Sequence, residues 1–94
     1  MNMPYSGQKT VASAGSAERL SSGLAVNGAV MVRAKPANTG NIYIGNVSGD
    51  VDSSNGMILE PGDMIIFNHV GDLREVWIDA EVNGEGAAWL ILDI

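Results

Sequence analysis

The 94-residue chain contains no cysteine and only one histidine, and these shortages narrow the chemistry it can perform. Without cysteine, the chain has no disulfide framework, zinc knuckle or thiol nucleophile. With His69 alone, a single chain cannot form a two-histidine metal site or a histidine relay. We interpret His69 as a surface residue in a turn. We expect no enzymatic activity, no catalytic residues and no cofactor.

Basic residues are also few, five against eleven acidic ones, which gives a net charge of −6. The five are scattered and form no basic patch, whereas nucleic-acid binding relies on clustered Lys and Arg. Long hydrophobic runs are absent too, and the longest falls far short of the ~20 residues that a membrane-spanning helix needs. The N-terminus lacks the pattern of a signal peptide. We expect neither nucleic acid nor membrane as a partner.

Aromatic residues make up only 5% of the chain, although 46% of it is hydrophobic and 17% charged. This is the composition of one folded domain whose core is thin, because small residues supply much of its apolar content. A domain of this size buries about 60–65% of its unfolded surface. Burial against partner subunits would therefore add stability.

No segment has the pattern of a helix, and turn signals close a series of short apolar runs. Pro61-Gly62 and Asn83-Gly84 are such signals, and residues 29–35 alternate between apolar and polar faces. The pattern predicts an all-β protein, a small antiparallel sandwich or barrel (jelly-roll-like) of seven or eight short strands. We interpret residues 1–8 as an extended N-terminal arm, residues 9–94 as a single β domain and residues 55–92 as a meander.

Two predicted strands are apolar on both faces, which indicates that one face is covered by a central position or by a partner. They are 64–67 (MIIF) and 87–92 (AAWLIL). Two apolar outer faces favour a subunit interface. The residues predicted to lie at interfaces are Met3, Tyr5, Phe67, Trp77 and Trp89.

Two groups of mostly acidic residues each allow a functional and a structural interpretation. Asp50, Asp52 and Asn55 resemble the start of a calcium loop, but Gly56 is the seventh residue of the pattern rather than the sixth, and Pro61 occupies the twelfth position. We favour a turn stabilised by Asx hydrogen bonds. Asp79 and Glu81 share a strand face without a visible catalytic partner, so we interpret them as a solvated or inter-subunit rim.

Four segments occur in an order that resembles small virion structural proteins of tailed bacteriophages. They are 38–45 (NTGNIYIG), 59–63 (LEPGD), 73–80 (LREVWIDA) and 82–86 (VNGEG), and the resemblance covers about two thirds of the chain. It implies a compact all-β module, most similar to a capsid decoration (cement) protein. The motif residues would then be structural: Gly40, Gly45, Pro61, Gly62, Gly84 and Gly86 would set turns, and Tyr43, Trp77 and Trp89 would pack.

The resemblance further implies a homotrimer that binds the major capsid protein or another virion protein on the phage particle, after synthesis in the bacterial host cytoplasm. A fibre-, neck- or tail-associated module that binds a carbohydrate or receptor is the alternative. In that module Trp77 or Tyr43 would stack on a sugar and Asp79 would accept its hydroxyl groups. A calcium-stabilised assembly domain that uses Asp50 and Asp52 is a third hypothesis.

Overall fold

The computed structural model describes residues 5–46 and 50–92, which form eight strands in two four-stranded antiparallel sheets. The strands are β1 (Ser6–Thr10), β2 (Glu18–Arg19), β3 (Ala25–Ala34), β4 (Ile42–Gly45), β5 (Met57–Leu59), β6 (Met64–Asp72), β7 (Trp77–Ala80) and β8 (Gly86–Ile91). One 3-10 turn, Leu73–Glu75, joins β6 to β7, and the described residues contain no α-helix. The all-β prediction is confirmed.

The strand order is that of a jelly roll. Sheet A has the order β1-β8-β3-β6 and sheet B the order β2-β7-β4-β5. The hydrogen-bonded neighbours therefore include the pairs 1 with 8, 2 with 7, 3 with 6 and 4 with 5, as when a long hairpin is wrapped into two facing sheets. The chain crosses between sheets at most of its connections.

The predicted meander over residues 55–92 is wrong, because β5 to β8 alternate between the two sheets. The Pro61-Gly62 turn does form: the Asp63 N–H donates to the Glu60 carbonyl oxygen at 2.9 Å, and Gly62 has a φ of 88°. The Gly62 N–H, however, donates to the Ala34 oxygen at 3.1 Å, and the Ala34 N–H donates to the Asp63 oxygen at 2.9 Å. These bonds attach the turn to the end of β3, so the chain enters sheet A instead of pairing β6 with β5.

The core lies between the sheets and follows the predicted alternation. Val30, Val32 and Ala34 point inward from β3 and are fully buried, while Met31 and Arg33 point outward. Ile42, Ile44 and Ile78 close the core from sheet B. Fully burying one such aliphatic side chain contributes about 1.5–3 kcal/mol. The core consists of small and medium aliphatic side chains from both sheets, as the composition indicated.

The first strand begins earlier than the sequence predicted. Ser6–Thr10 pairs with β8, from Ser6 opposite Leu90 to Thr10 opposite Gly86. The predicted boundary between arm and domain at residue 8 therefore lies inside β1, and Ser6 to Gln8 belong to sheet A. Residues 1–4, the rest of the predicted arm, lie outside the described residues.

Strand β6 is longer than the predicted 64–67, since it continues to Asp72. Phe67 pairs with Val30 and Val70 with Gly28, so β6 has one extra residue between these pairs, a β-bulge. The bulge places His69 within the strand, where it is exposed, rather than in the predicted turn. The segment 73–80 is not one continuous strand: β7 begins only at Trp77, because Asp72 and Glu75 form a capping box that holds Leu73–Glu75 in a 3-10 turn.

Candidate assembly surface

The outer face of sheet A carries two rows of side chains that run across all four strands. The pairing places Ser6, Leu90, Met31 and Ile66 in one row, and Gln8, Ala88, Arg33 and Met64 in the next. Met64 and Ile66 are 58% and 49% exposed, and Met31, Ala88 and Leu90 are half-buried. Exposed apolar side chains that adjoin one another mark interaction surfaces. We call these eight residues the sheet A face.

Strand β6 is an edge of sheet A, and among the described strands it pairs with β3 alone. The same side of the sandwich holds β5, the edge of sheet B, on which Met57 is 59% and Ile58 49% exposed. Residues 64–67 are thus apolar on both faces although β6 is an edge strand and not a central one. A long apolar edge strand offers unpaired backbone groups and is normally protected by charge, proline or a covering element.

Two of the predicted interface residues lie on the inner face of sheet A. Phe67 is opposite the buried Val30, and Trp89 alternates with Leu90 along β8. Both are partly buried and pack against the core of their own chain. The Trp89 ring lies over Gly7, where an added Cβ would come within 2.7 Å of ring atom Cε2. The outward positions beside them were not among the predicted interface residues.

Of the other three predicted interface residues, Tyr5 and Trp77 lie on different sheets. Tyr5 is half-buried against the core, and its carbonyl oxygen accepts the Ile91 N–H at 2.8 Å. Trp77 lies on sheet B, where the Arg19 guanidinium sits 5.2 Å from the centre of its ring, a cation–π contact. Met3 lies outside the described residues. The five residues therefore do not form one surface.

Of the three residues that the carbohydrate alternative names, Tyr43 and Asp79 are buried, and Trp77 is half-buried. Tyr43 is 8% exposed and Asp79 is 2% exposed. Val51, itself buried, and Gly56 cover this part of sheet B, since an added Cβ on Gly56 would lie 2.9 Å from the Tyr43 Cβ. The Asp79 Oδ1 accepts the N–H groups of Gly15 at 2.9 Å and Ala80 at 2.8 Å. Asp79 is thus a buried anchor rather than a rim residue.

The loop with the calcium candidates is closed by its own hydrogen bonds. The Asp52 Oδ1 accepts the Ser54 N–H at 2.8 Å and the Ser54 hydroxyl at 2.6 Å, and these bonds hold the pKa of Asp52 below its ordinary value. The Asn55 Oδ1 accepts the Asp52 N–H, while its Nδ2 donates to the Asp50 carbonyl oxygen at 2.7 Å. The favoured Asx-type turn is what the structure contains. Across residues 5–46 and 50–92, no three histidine or carboxylate groups are arranged to hold a metal ion.

Glu85 and Glu81 fasten the turn before β4. The Glu85 carboxylate accepts the N–H groups of Thr39 at 2.8 Å and Gly40 at 2.9 Å, and the Thr39 hydroxyl at 2.8 Å. The Glu81 Oε1 accepts the Asn41 N–H at 2.9 Å. These two carboxylates thus accept hydrogen bonds from backbone N–H groups of a turn. The sequence pattern alone did not show this structural role.

Stability should fall in acid, because folding lowers the pKa of several carboxyl groups. The backbone N–H groups of Thr39 and Gly40 lower the pKa of Glu85, the backbone N–H of Arg74 lowers that of Asp72, and the bond to Lys9 lowers that of Glu18. A group with a lower pKa in the folded state stabilises fully above its ordinary value and loses this effect as the pH falls through the folded value. The ordinary values are 4.5 for Glu and 3.8 for Asp.

We therefore expect the thermal midpoint of wild type to fall as the pH drops below about 4.5. Glu85→Gln should melt below wild type at pH 7, and the gap should narrow as the pH falls and Glu85 itself becomes protonated. Thermal melts followed by circular dichroism from pH 7 to pH 3 measure both curves. A gap that stays constant with pH would show that the charge of Glu85 does not contribute.

Comparison of the chain with protein-family models, with curated proteins and with solved structures gives no match. Among the described residues, no helix is long and apolar enough to cross a membrane.

Proposed function

We propose that this chain is a virion structural protein of a tailed bacteriophage, a capsid decoration (cement) protein that binds the outer shell as a homotrimer and stabilises it without catalysis. The observation that carries the proposal is the sheet A face, where Met64 and Ile66 are exposed on β6, an edge strand that pairs with β3 alone among the described strands. A phage particle is proposed as the location because the turn and strand motifs, in their order, resemble those of phage virion proteins.

The mechanism needs contact area rather than reactive groups. Each copy contributes a modest surface, and linked copies bind a repetitive shell far more tightly than one copy does, because every contact after the first is intramolecular. The major capsid protein, or another virion protein, is the partner in this proposal. The residues that meet it belong to outward surfaces, since Phe67 and Trp89 are used within the chain's own core.

Co-sedimentation with phage shells that lack the protein tests this function. We expect a saturable number of copies per particle and a higher temperature for release of the packaged DNA once the sites are filled. An unrelated acidic protein of about 10 kDa is the control for trapping in the pellet. Absence of saturable binding to shells, necks and tails alike would contradict the proposal.

The contribution of the N-terminal arm needs a shorter deletion than the sequence indicated. Removing residues 1–8 would take Ser6, Gly7 and Gln8 out of β1 and uncover the Trp89 ring, so loss of binding could reflect a damaged fold. Removing residues 1–4 leaves β1 complete. We expect this deletion to weaken particle binding while the melting temperature stays within about 2 °C of wild type, since no described contact of the sheets is lost. Unchanged occupancy on particles would rule out a role for the arm.

A further inference from the structure

The sheet A face differs from the rest of this acidic molecule in its charge. Its eight residues include no carboxylate, and Arg33 is the only charged residue among them. The next positions along the strands, Ala29 and Leu92, which are joined by a backbone hydrogen bond of 2.8 Å, are also uncharged. The only described carboxylate within a strand of sheet A is Asp72, at the end of β6, and the others lie in turns, at loop ends and on sheet B: Glu18, Asp50, Asp52, Glu60, Asp63, Glu75, Asp79, Glu81 and Glu85.

We propose that copies of this chain associate with one another through the sheet A face. A chain with a net charge of −6 repels its own copies, and the repulsion is weakest where both approaching surfaces lack carboxylates. Sheet B meets this condition less well, because Asp52 and Glu81 lie on its outer side. The apolar side chains of the sheet A face then supply the attraction once the surfaces meet.

The broad side of the molecule sets the area that such an association can use. The molecule measures 35 × 26 × 19 Å along its principal axes, and the shortest axis corresponds to two stacked sheets. The broad side of the whole molecule outlines about 900 Å² (35 × 26 Å), and the eight residues of the sheet A face occupy only part of it, so the contact must extend over neighbouring residues to reach the ~800 Å² per partner of stable protein interfaces. Sheets of separate subunits can pack face to face as the two sheets of a sandwich do.

The order of side chains along the first row also fits copies arranged around a threefold axis. Met31 lies on the interior strand β3, between Leu90 on β8 and Ile66 on β6. In a ring of three whose axis runs along the strands, Met31 of every copy lies nearest the axis, and Ile66 of one copy faces Leu90 of the next. Methionine is unbranched and adapts to irregular contacts of this kind. Such a ring would also cover the exposed Ile66 beside the β6 edge.

A matched pair of variants tests the inference. Ile66 on the sheet A face and Ile58 on β5 are both isoleucine, both lie on edge strands, and both are 49% exposed. Ile66→Glu introduces a carboxylate into the proposed contact, whereas Ile58→Glu introduces it on the opposite sheet. Met64→Glu and Met57→Glu, at 58% and 59% exposure, form a second pair. Circular dichroism and thermal melts of all four establish that they fold.

Light scattering during size-exclusion chromatography gives the mass of each variant. We expect wild type and Ile58→Glu to have a multiple of the 9.8 kDa of one chain, about three times for a trimer, and folded Ile66→Glu to be a monomer. The dissociation constant should rise at least about 100-fold, because burying an unpaired charge in an interface costs several kcal/mol. A monomeric wild type at about 100 μM, an oligomeric Ile66→Glu, or loss of assembly on Ile58→Glu alone would each overturn the inference.

The inference rests on the proposed function for its biological setting, but the two can fail separately. The solution mass is measured without any particle, and particle binding is measured by co-sedimentation. If the chain assembles through the sheet A face but does not bind shells, the inference holds and the proposed function fails. If the chain is monomeric in solution but binds shells, the inference fails and the decoration of the particle holds.

Discussion

Gly86→Ala is expected to lower the free energy of unfolding by about 3 kcal/mol or more. Gly86 begins β8, opposite Thr10 on β1. An added Cβ would overlap the backbone oxygen of Lys9 and lie 2.9 Å from the Lys9 carbonyl carbon and from the Thr10 Cα. These are backbone atoms that no side-chain rotation can move away, so β1 and β8 must separate.

The backbone of Gly86 also holds a buried junction that this separation would disturb. Its carbonyl oxygen accepts the Lys35 N–H at 3.1 Å and the Asn38 Nδ2 at 2.8 Å, and its own N–H donates to the Asn38 Oδ1. Asn38 is 9% exposed, so a broken bond here leaves a buried amide group without its partner. For a domain of this size, the expected loss corresponds to a fall of roughly 12–24 °C in melting temperature.

Gly84→Asn is the matched control for the loss of a nearby glycine. Gly84 has a φ of 81° and no atom within 4 Å of an added Cβ, and asparagine tolerates this left-handed conformation better than most residues. We expect a cost of no more than about 1 kcal/mol. Urea unfolding of both variants measures the difference. Equal costs would show that backbone conformation, and not the approach of β1 to β8, governs this corner.

The contrast between these two glycines shows what sequence reasoning recovers. Both belong to the run Asn83–Gly86, and the sequence predicted that both set a turn. Gly84 does so, because Asn-Gly signals depend only on local backbone preferences. Gly86 is needed for a contact with β1, more than seventy residues earlier in the chain. A residue pattern along one segment contains no information about which distant backbone will lie against it.

The same limit explains why the assembly surface was only partly predicted. The alternation of residues 29–35 correctly separated Val30 and Val32 from Met31 and Arg33, and the two apolar faces of residues 64–67 were recognised. The sequence could not show which face of β6 points outward, since that depends on its register with β3. Large aromatic residues were therefore assigned to the interface, whereas Phe67 and Trp89 fill the thin core. The low aromatic content of the chain is the signal that could have indicated that its few aromatic residues fill the core.

Sheet topology is even harder to predict from local sequence patterns than the outward face of a strand. The turn at Pro61-Gly62 has the backbone geometry that the sequence predicted, yet it joins strands of different sheets. Its destination is decided by two hydrogen bonds to Ala34, at the far end of β3. Jelly-roll order follows from such non-local pairings, in which the first strand meets the last.

The second large effect is expected for Asp79→Ala, which should lower the free energy of unfolding by roughly 2–3 kcal/mol. The Asp79 Oδ1 accepts the N–H groups of Gly15 and Ala80, and the side chain is almost completely buried. The bond to Gly15 fixes the 13–16 turn on sheet B, far along the chain from β7. Removing the carboxylate leaves two donors unsatisfied and frees that turn.

Asp79→Asn and Glu81→Ala separate this structural role from a general effect of charge. The carboxamide oxygen of Asp79→Asn can still accept both N–H groups, so its cost should be smaller than that of Asp79→Ala. Glu81 is exposed and holds one N–H, that of Asn41, so we expect Glu81→Ala to cost less than about 1 kcal/mol. Guanidinium unfolding at pH 7 ranks the three variants. If Asp79→Ala costs no more than Glu81→Ala, the buried hydrogen bonds of Asp79 do not anchor the 13–16 turn.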